Sequence, residues 1–567
     1  MAIRQPLLLL AAASCCNLLF SPALYADHAE CKPGTGQTTP PKNVNIKSID
    51  IENFTIFEID DQSIWLHRLA NDLHINTKPH IIESRLSFEE GDDITLEDVQ
   101  ESERLLRKLS YIRDAKVELS TDCNHHPDGV VKVKTWDHWT LYPRVNFSRS
   151  GGENKYSYGI QDDNLLGLGI QSNFKYFSDG DRAGYGIKLS APITSLRHST
   201  LSMAAFNNDD GYRYAASLRK PFYTLNSTKS YYFNSEHHEQ DLHIDQNGND
   251  DDENVFKAQQ TFFEAGYGWS EGKVNNWVSR ITLGFTSNEE SFAPTDDVDS
   301  VTLATPNDRE FVYPWAQFQV IENDYEVIPD VHFIQEKEDH HLGWQHIIRL
   351  GIETDDSDNQ DDLAGHLRTH STKGLLSGKH LVFGSVSTAL DFGVANSDYY
   401  KVATGLEYFY NWNPSNKLYL KTELTLSDNN YLDRPITLGG EISDDDNDFE
   451  ITTIAQPTVR GYPAQYQQGS NRWQTSLEAR HYPGIELYRL VRIAWVAFFD
   501  AGRAWGGDNI TTANEESSAL ASFGFGVRMA SIRSSGRNVI HFDVAKTLTS
   551  GANVDSWGIR VHAKQRF

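Results

Sequence analysis

Cysteine is scarce in this 567-residue chain, with four copies, and cations run short: 51 Lys and Arg face 79 Asp and Glu, a formal net charge of −28. Beyond the N-terminus no apolar run approaches the roughly 20 residues that a spanning helix needs. Each shortage excludes something. With no CxxC and no zinc spacing, redox and zinc-module chemistry drop out. So acidic a net field argues against nucleic acid as a partner, because phosphate binding needs a basic footprint. Aromatics, by contrast, are plentiful: 12 Trp, 25 Tyr and 28 Phe are too many for a solvated coil. The length exceeds what one compact core needs, so several domains or one large closed architecture is expected. Two classes remain, a soluble export product or a β-barrel whose apolar residues are hidden by alternation.

The N-terminus indicates export. Arg4, the apolar stretch Leu7 to Ala13 with Leu18 to Phe20, and the ending Leu24-Tyr25-Ala26 read as a secretory signal over 1–26, too short and wrongly flanked for an anchor. Ala12-Ala13-Ser14-Cys15 offers a lipoprotein alternative, without the usual bulky residue ahead of the small ones. Cys15 and Cys16 leave with the signal. Cys31 and Cys123 then form an even pair in an oxidising compartment, where a disulfide contributing about 4 kcal/mol is expected. Residues 27–43 are expected to be a flexible N-terminal segment.

Residues 44–137 have the pattern of a small α+β domain. Ile49 and Ile51 alternate with polar neighbours. Leu66, Leu69, Ala70 and Leu73 recur at helical spacing, Pro79 opens a second helical segment, and Gly91 closes it. Thr95 and Asp98 make a capping-box variant ahead of a helix with Leu96, Val99, Leu106 and Leu109 on one face. Two short strands follow, Ala115/Val117/Leu119 and Val131/Val133. The phrase RLSFEEGDDITLEDVQESERLLRKLSYIRDAKVEL resembles the core of a POTRA domain, the periplasmic docking module of the BamA/TamA-like outer-membrane barrels. A generic α/β sandwich is the alternative. The resemblance implies that a sheet edge pairs with extended client segments.

From Trp139 onward the period is two. Val402, Leu406, Tyr408, Tyr410 and Trp412 alternate with Lys401, Gly405, Glu407 and Asn411. At the C-terminus Trp557, Ile559, Val561, Ala563 and Phe567 alternate with Arg560, His562, Lys564 and Arg566. One apolar and one charged face is the dyad of a membrane barrel with lipid outside and a wet lumen inside. The expected fold is therefore an all-β transmembrane barrel over 138–567, preceded by one POTRA domain. Segment counting gives sixteen to twenty strands, with 310–390 ambiguous between strand and loop; the resemblance implies sixteen, the number expected here. The terminal Phe567 resembles the signal by which outer-membrane barrels are recognised for insertion.

LGGE at Leu438 to Glu441 and VRGY, Val459-Arg460-Gly461-Tyr462, resemble that family's long extracellular loop, which folds back into the lumen. LEAR with Glu478, and FFDAG with Asp500 and Gly502, match its two partner-strand motifs. The alternation itself puts Asp500 and Glu478 on the lumen face. A desolvated guanidinium must keep a carboxylate partner, and its fork suits bidentate pairing. Arg460 is therefore expected to pair with Asp500 and secondarily Glu478, with Gly461 allowing a sharp turn; a solvated loop arginine is the alternative. The first barrel strand carries Pro143, which has no N–H for the ladder that must close against the last strand, and Gly558 sits in that last strand near Trp557. A weak, openable seam is one reading, and a proline at a periplasmic strand start the other.

Other motifs point elsewhere. NLLGLG at Asn164 to Gly169 has phosphate-loop-like glycine spacing but no following helix, and reads as a turn. The pairs His125-His126, His237-His238 and His340-His341 would point to opposite faces of an extended chain, so no metal site is expected. There is no GxSxG and no HExxH, and no enzymatic step or cofactor is expected. The resemblance implies insertion, assembly or export of proteins or lipids, with outer-membrane lipid and lipopolysaccharide, unfolded client proteins and periplasmic chaperones as partners, and a monomer. A single POTRA module argues against a general assembly role, and the lack of a plug helix before it against two-partner secretion. A passive pore or scaffold, or a receptor with acidic loops, is the alternative. Four stretches, 239–253, 289–310, 353–362 and 441–450, hold −25 of the −28 and are expected to be extracellular loops. Loose cation binding at Asp444 to Asp448 is a less common use of such a run than a solvated, self-repelling loop.

Overall fold

The computed structural model describes residues 43–564 apart from 58–64, 121–127, 151–152, 179–181, 245–253, 298–299, 335–336, 355–363, 395–396, 429–430, 441–457, 507–517 and 536–538. The expected signal 1–26, segment 27–43 except residue 43, Cys31, Cys123, the His125-His126 pair, Glu441, the 444–448 acids and Phe567 lie outside the described residues.

A small mixed domain comes first, with β1 (Val44–Phe54), α1 (Trp65–Leu73), α2 (Pro79–Glu83), β2 (Asp93–Ile94), α3 (Leu96–Arg107), β3 (Ile112–Ser120) and β4 (Asp128–Asp137). Its sheet runs β2-β1-β4-β3, with β1 and β4 parallel and the other pairs antiparallel. Pro79 stands at the start of α2, where a missing N–H costs nothing. At α3 the capping box closes both ways: Thr95 Oγ1 accepts from Asp98 N (3.3 Å), and Asp98 Oδ2 accepts from Thr95 N (2.8 Å). Ile46, Ile82, Leu86, Val99, Leu106, Val117, Val131 and Val133 form the core. Three expected core positions face outward instead: Leu96 is exposed, and in α1 Leu69 and Leu73 stand exposed while Ala70 is buried.

Among the described residues, twenty antiparallel strands, from Leu141–Ser150 to Trp557–Lys564, close into a barrel. The expectation of sixteen is corrected. Alternation reports which face a residue takes but not how many segments cross, and the ambiguous region around 310–390 supplies four barrel strands: Arg309–Glu322, Gln345–Ile352, Gly365–Ser377 and His380–Val394. Outward positions are apolar and exposed, among them Val145, Phe147, Leu477, Trp495, Phe499 and Ile559. Inward positions are polar and buried, among them Glu478, Arg480, Asp500, Arg528 and Asp543. This inverted polarity is stable only with hydrocarbon around the wall, so the chain is a membrane barrel. Among the described residues no helix is long and apolar enough to cross a membrane.

The small domain sits against one end of the barrel, here the proximal end. Asn164 Nδ2 donates to Thr77 Oγ1 (2.8 Å), Lys78 N to Gly167 O (2.9 Å), and Arg197 Nη2 to the carbonyls of Glu83, Leu86 and Phe88 (3.0 Å each). NLLGLG is a turn, as its sequence indicates, and it has a docking role: a Cβ on Gly167 would strike Asn76 O. The barrel strands that flank the four acidic stretches end at the opposite, distal end.

Candidate functional site: a charged lumen closed by two inserts

The distal connection between Asn416–Asp428 and Asn471–Leu487 folds into the lumen. Its short strands Ile436–Leu438 and Gln467–Gly469 pair with each other, and the two glycines of LGGE hold the VRGY segment. Val459 N donates to Gly439 O (2.7 Å) and Gly440 N to Pro463 O (2.5 Å). A Cβ on Gly439 would meet Pro463 O, and one on Gly440 would meet Tyr462 O. The two motifs belong together because one backbone lies directly on the other.

Arg460, at the tip, is buried. Its Nε and Nη2 donate to Asp500 Oδ2 (2.6 Å) and Oδ1 (2.7 Å), Nη1 to Glu478 Oε1 (2.9 Å), and Nη2 also to Ser476 Oγ (3.0 Å). The guanidinium lies 3.6 Å from the centre of the Phe498 ring. Burial works against the charge, but Asp500 and then Glu478 outweigh it and hold Arg460 above its ordinary value. The fork is bidentate to one acid and bridges to a second, which is geometry that only arginine supplies.

The neighbours of Arg460 reach the last strand. Gly461 has φ +95°, and a Cβ on Gly558 would lie 2.8 Å from Gly461 Cα. Tyr462 Oη lies 2.8 Å from Ala521 O and 3.0 Å from Thr549 O, and accepts from Thr549 N (3.1 Å). Val459 is buried beside Leu438, and a Cβ on Gly502 would press on Leu438 Cδ2 at 3.0 Å. Sequence reasoning missed a second set of charges. Arg480 donates to Glu478 Oε2 (2.9 Å), and Asp543 accepts from Arg528 and from Arg560 of the last strand (2.6 Å each). Arg480 was legible in LEAR, two residues from Glu478 on the same face. It also missed the far anchor of the loop: Arg309 donates to both carboxylate oxygens of Asp433 (2.9 and 2.7 Å) and to Glu290.

The described part of the seam is short. Strand Leu141–Ser150 pairs with Glu153–Leu165 along its whole length; among the described residues it pairs with Trp557–Lys564 through Phe147–Val561, Ser148–Arg560 and Arg149–Ile559. Pro143 sits opposite Ile160 of the following strand. Trp557 is exposed on the outer face, with the Lys546 ammonium 4.9 Å from its ring centre.

No family model matches this chain, and no curated protein matches it. It is similar to the solved structure of BamA from Haemophilus ducreyi lacking POTRA domains 1–3, at 13% identity and a TM-score of 0.41 over 92% of this chain and 85% of that one. It is similar to CdiB from Acinetobacter baumannii at 10% identity and 0.45, covering 92% and 74%. CdiB from Escherichia coli gives 12% and 0.46, covering 92% and 77%.

A second insert lies toward the proximal end. Strands Tyr325–Pro329 and Lys337–His341 form a hairpin between barrel strands, folded into the lumen. Ile328, Val331 and Leu342 pack on the inward-facing Leu381, Phe409 and Tyr419, while Ile334 packs on Tyr482, Ala494, Ala530 and Val539. Lys417 Nζ donates to the carbonyls of Pro329 (3.0 Å) and Asp330 (2.6 Å), Arg480 Nη1 to Val331 O (3.2 Å), and Arg492 Nη1 to Ile334 O (3.2 Å). Glu338 accepts from the amides of Val331 (2.8 Å), His332 (2.9 Å) and Phe333 (3.0 Å). Arg480 thus touches the proximal hairpin and, through Glu478, the distal Arg460. The His340-His341 pair is separated by the pleat: His340 lies by Glu338, while His341 meets Glu322 O (2.6 Å). Among the described residues no cluster of His, Cys, Asp and Glu could hold a metal.

Proposed function

We propose that this chain is a bacterial outer-membrane barrel with its small domain, a POTRA-type module, in the periplasm, and that it assists insertion or translocation of client proteins by strand pairing at the seam. The observation that carries the reading is a lumen loop seated on the last strand, where Gly461 lies against Gly558, beside the seam at which the last of twenty strands meets the first. A seam between first and last strands can exchange its pairing for that of an incoming extended segment. In this reading Arg460, Asp500 and Glu478 fix the height of the loop, and Val459, Gly461 and Tyr462 present it to the strands on the C-terminal side of the seam. The work is strand exchange and bilayer perturbation, with no bond made or broken.

A passive pore is the competing class, and the filled lumen speaks against it: the distal loop and the proximal hairpin both occupy the space an open channel requires.

The test is site-specific photo-crosslinking in cells from Val561 and from β3 of the small domain. Recovery of nascent outer-membrane proteins is expected. Cysteines at Phe147 and Val561, oxidised to lock the seam, should abolish that recovery from a probe at Ile559 in the same last strand while leaving a folded barrel. Undiminished recovery with the seam locked would remove the gate from the mechanism.

A further inference from the structure

Helix α1 carries an apolar stripe that the described residues leave uncovered. Trp65, Leu69 and Leu73 repeat every four residues and so share one side of the helix; they are 68%, 39% and 64% exposed, and Ile75 just beyond is 46% exposed. These are four of the five large apolar side chains exposed on the described part of the small domain, Leu96 being the fifth. Scattered exposure needs no explanation, but a contiguous stripe does.

The opposite side of α1 is spoken for. His67 is fully buried, stacks on Phe57 at 4.2 Å and hydrogen-bonds Tyr488 O at 3.0 Å. Ala70 packs with Ile56 and Phe57 against Trp139 and Leu490. Asn71 grips the Phe57 backbone, accepting from its N (3.1 Å) and donating to its O (2.8 Å). Past the helix, Thr77 and Lys78 bond to Asn164 and Gly167. The helix and its trailing segment therefore bridge two proximal barrel turns, 488–490 and 166–169. The shorter path around the wall between those turns runs through Trp557–Lys564 and Leu141–Ser150, so it includes the seam.

This placement fixes the height of the stripe. Leu487, Tyr488, Leu165 and Leu166, where the wall meets those turns, are all exposed, and they mark where the lipid-facing belt ends. An amphipathic helix pinned at that level, with Trp at one end, has the composition of a segment lying in a bilayer interface. We infer that the Trp65–Leu73 stripe docks on the lipid surface beside the seam, burying Trp65, Leu69 and Leu73 among acyl chains of the proximal leaflet. The inference rests on the membrane-barrel part of the reading above and is independent of any client.

The experiment uses the full chain reconstituted in phosphatidylethanolamine–phosphatidylglycerol vesicles containing a lipid with a diazirine on its acyl chain. After irradiation, labelled peptides are mapped by mass spectrometry. Label on 65–75, alongside label on the wall strand Leu141–Ser150, is expected. Loss of the 65–75 label in a Leu69→Ser/Leu73→Ser variant that keeps the wall label and a folded-barrel gel mobility would support the inference. A labelled wall with an unlabelled 65–75 segment would overturn it alone. An unlabelled wall would overturn the membrane-barrel reading as well.

Discussion

Buried beside Asp500, which has no solvent exposure, Arg460 is held by two acids that are themselves removed from water. Truncating it leaves those carboxylates without their main partner, and breaking a buried pair from one side costs about 3–5 kcal/mol. Arg460→Met should therefore lower the urea midpoint of barrel unfolding, and Arg460→Lys should recover only part of the loss, because an ammonium cannot make the two-oxygen contact with Asp500 and still bridge Glu478. Equal midpoints for all three proteins would remove the pairing from the account of stability. His198, in a proximal turn, makes a second residue-scale prediction. Its ring stacks on Tyr223 at 3.6 Å and meets Leu86 O at 3.1 Å. Burial, then the nearby Arg197 and Arg85, push it down to about 4 from the ordinary 6.5. The folded state then binds fewer protons than the unfolded one, so this contribution is complete above pH ~6.5 and is lost as pH falls through that value toward about 4. Amide protection over 83–88, corrected for intrinsic exchange, should drop across that window, and His198→Gln should flatten the response.

At the scale of elements, the lumen inserts are the main addition to what alternation conveys. The hairpin Tyr325–Pro329/Lys337–His341 is short, and its residues carry no pattern that separates a surface turn from one folded inward. What draws it in is the apolar floor made by Leu381, Phe409 and Tyr419, together with Lys417, Arg480 and Arg492, whose donors satisfy hairpin carbonyls. Buried carbonyls need such partners. Replacing 325–341 by a tight turn should convert a poorly conducting barrel into one with large, stable steps in planar bilayers. Unchanged conductance, in a variant that still runs as a folded barrel, would show that the hairpin does not close the lumen. The capping box at Thr95 and Asp98 and the proline at the start of α2 were legible because their physics is local. The outward turn of Leu69 and Leu73 was not, because helical spacing reports a shared face without saying what that face meets.

Over the whole molecule, charge and closure are distributed unevenly. Four acidic stretches carry most of the net −28, and the barrel strands flanking them end at the distal end, opposite the docked domain. Among the described residues, the fewest residue pairs between barrel strands lie where the chain's two barrel ends meet. Amides of Trp557–Lys564 should exchange faster than those of Leu520–Ser531, which is paired on both sides through most of its length. Equal protection of the two strands would mean that the seam is as firm as the rest of the wall. The motifs in the loop and the partner strands were readable one by one; their meeting at Arg460 was an expectation from charge burial. The contact of Gly461 with Gly558 was not readable, because it joins positions 97 residues apart through the curvature of the closed wall.

The sequence by itself determined a barrel with an apolar outside and a charged inside, because a period of two fixes which face each side chain takes wherever the chain is extended. It also determined where α2 and α3 start, and that a buried arginine would need Asp500 or Glu478. Only the tertiary structure decided the number of strands, the register of the seam, the folding of two inserts into one lumen and the side of α1 that turns outward. Those features depend on how far the sheet curves before it closes and on which surfaces then lie opposite each other, and neither is written in any local run of residues.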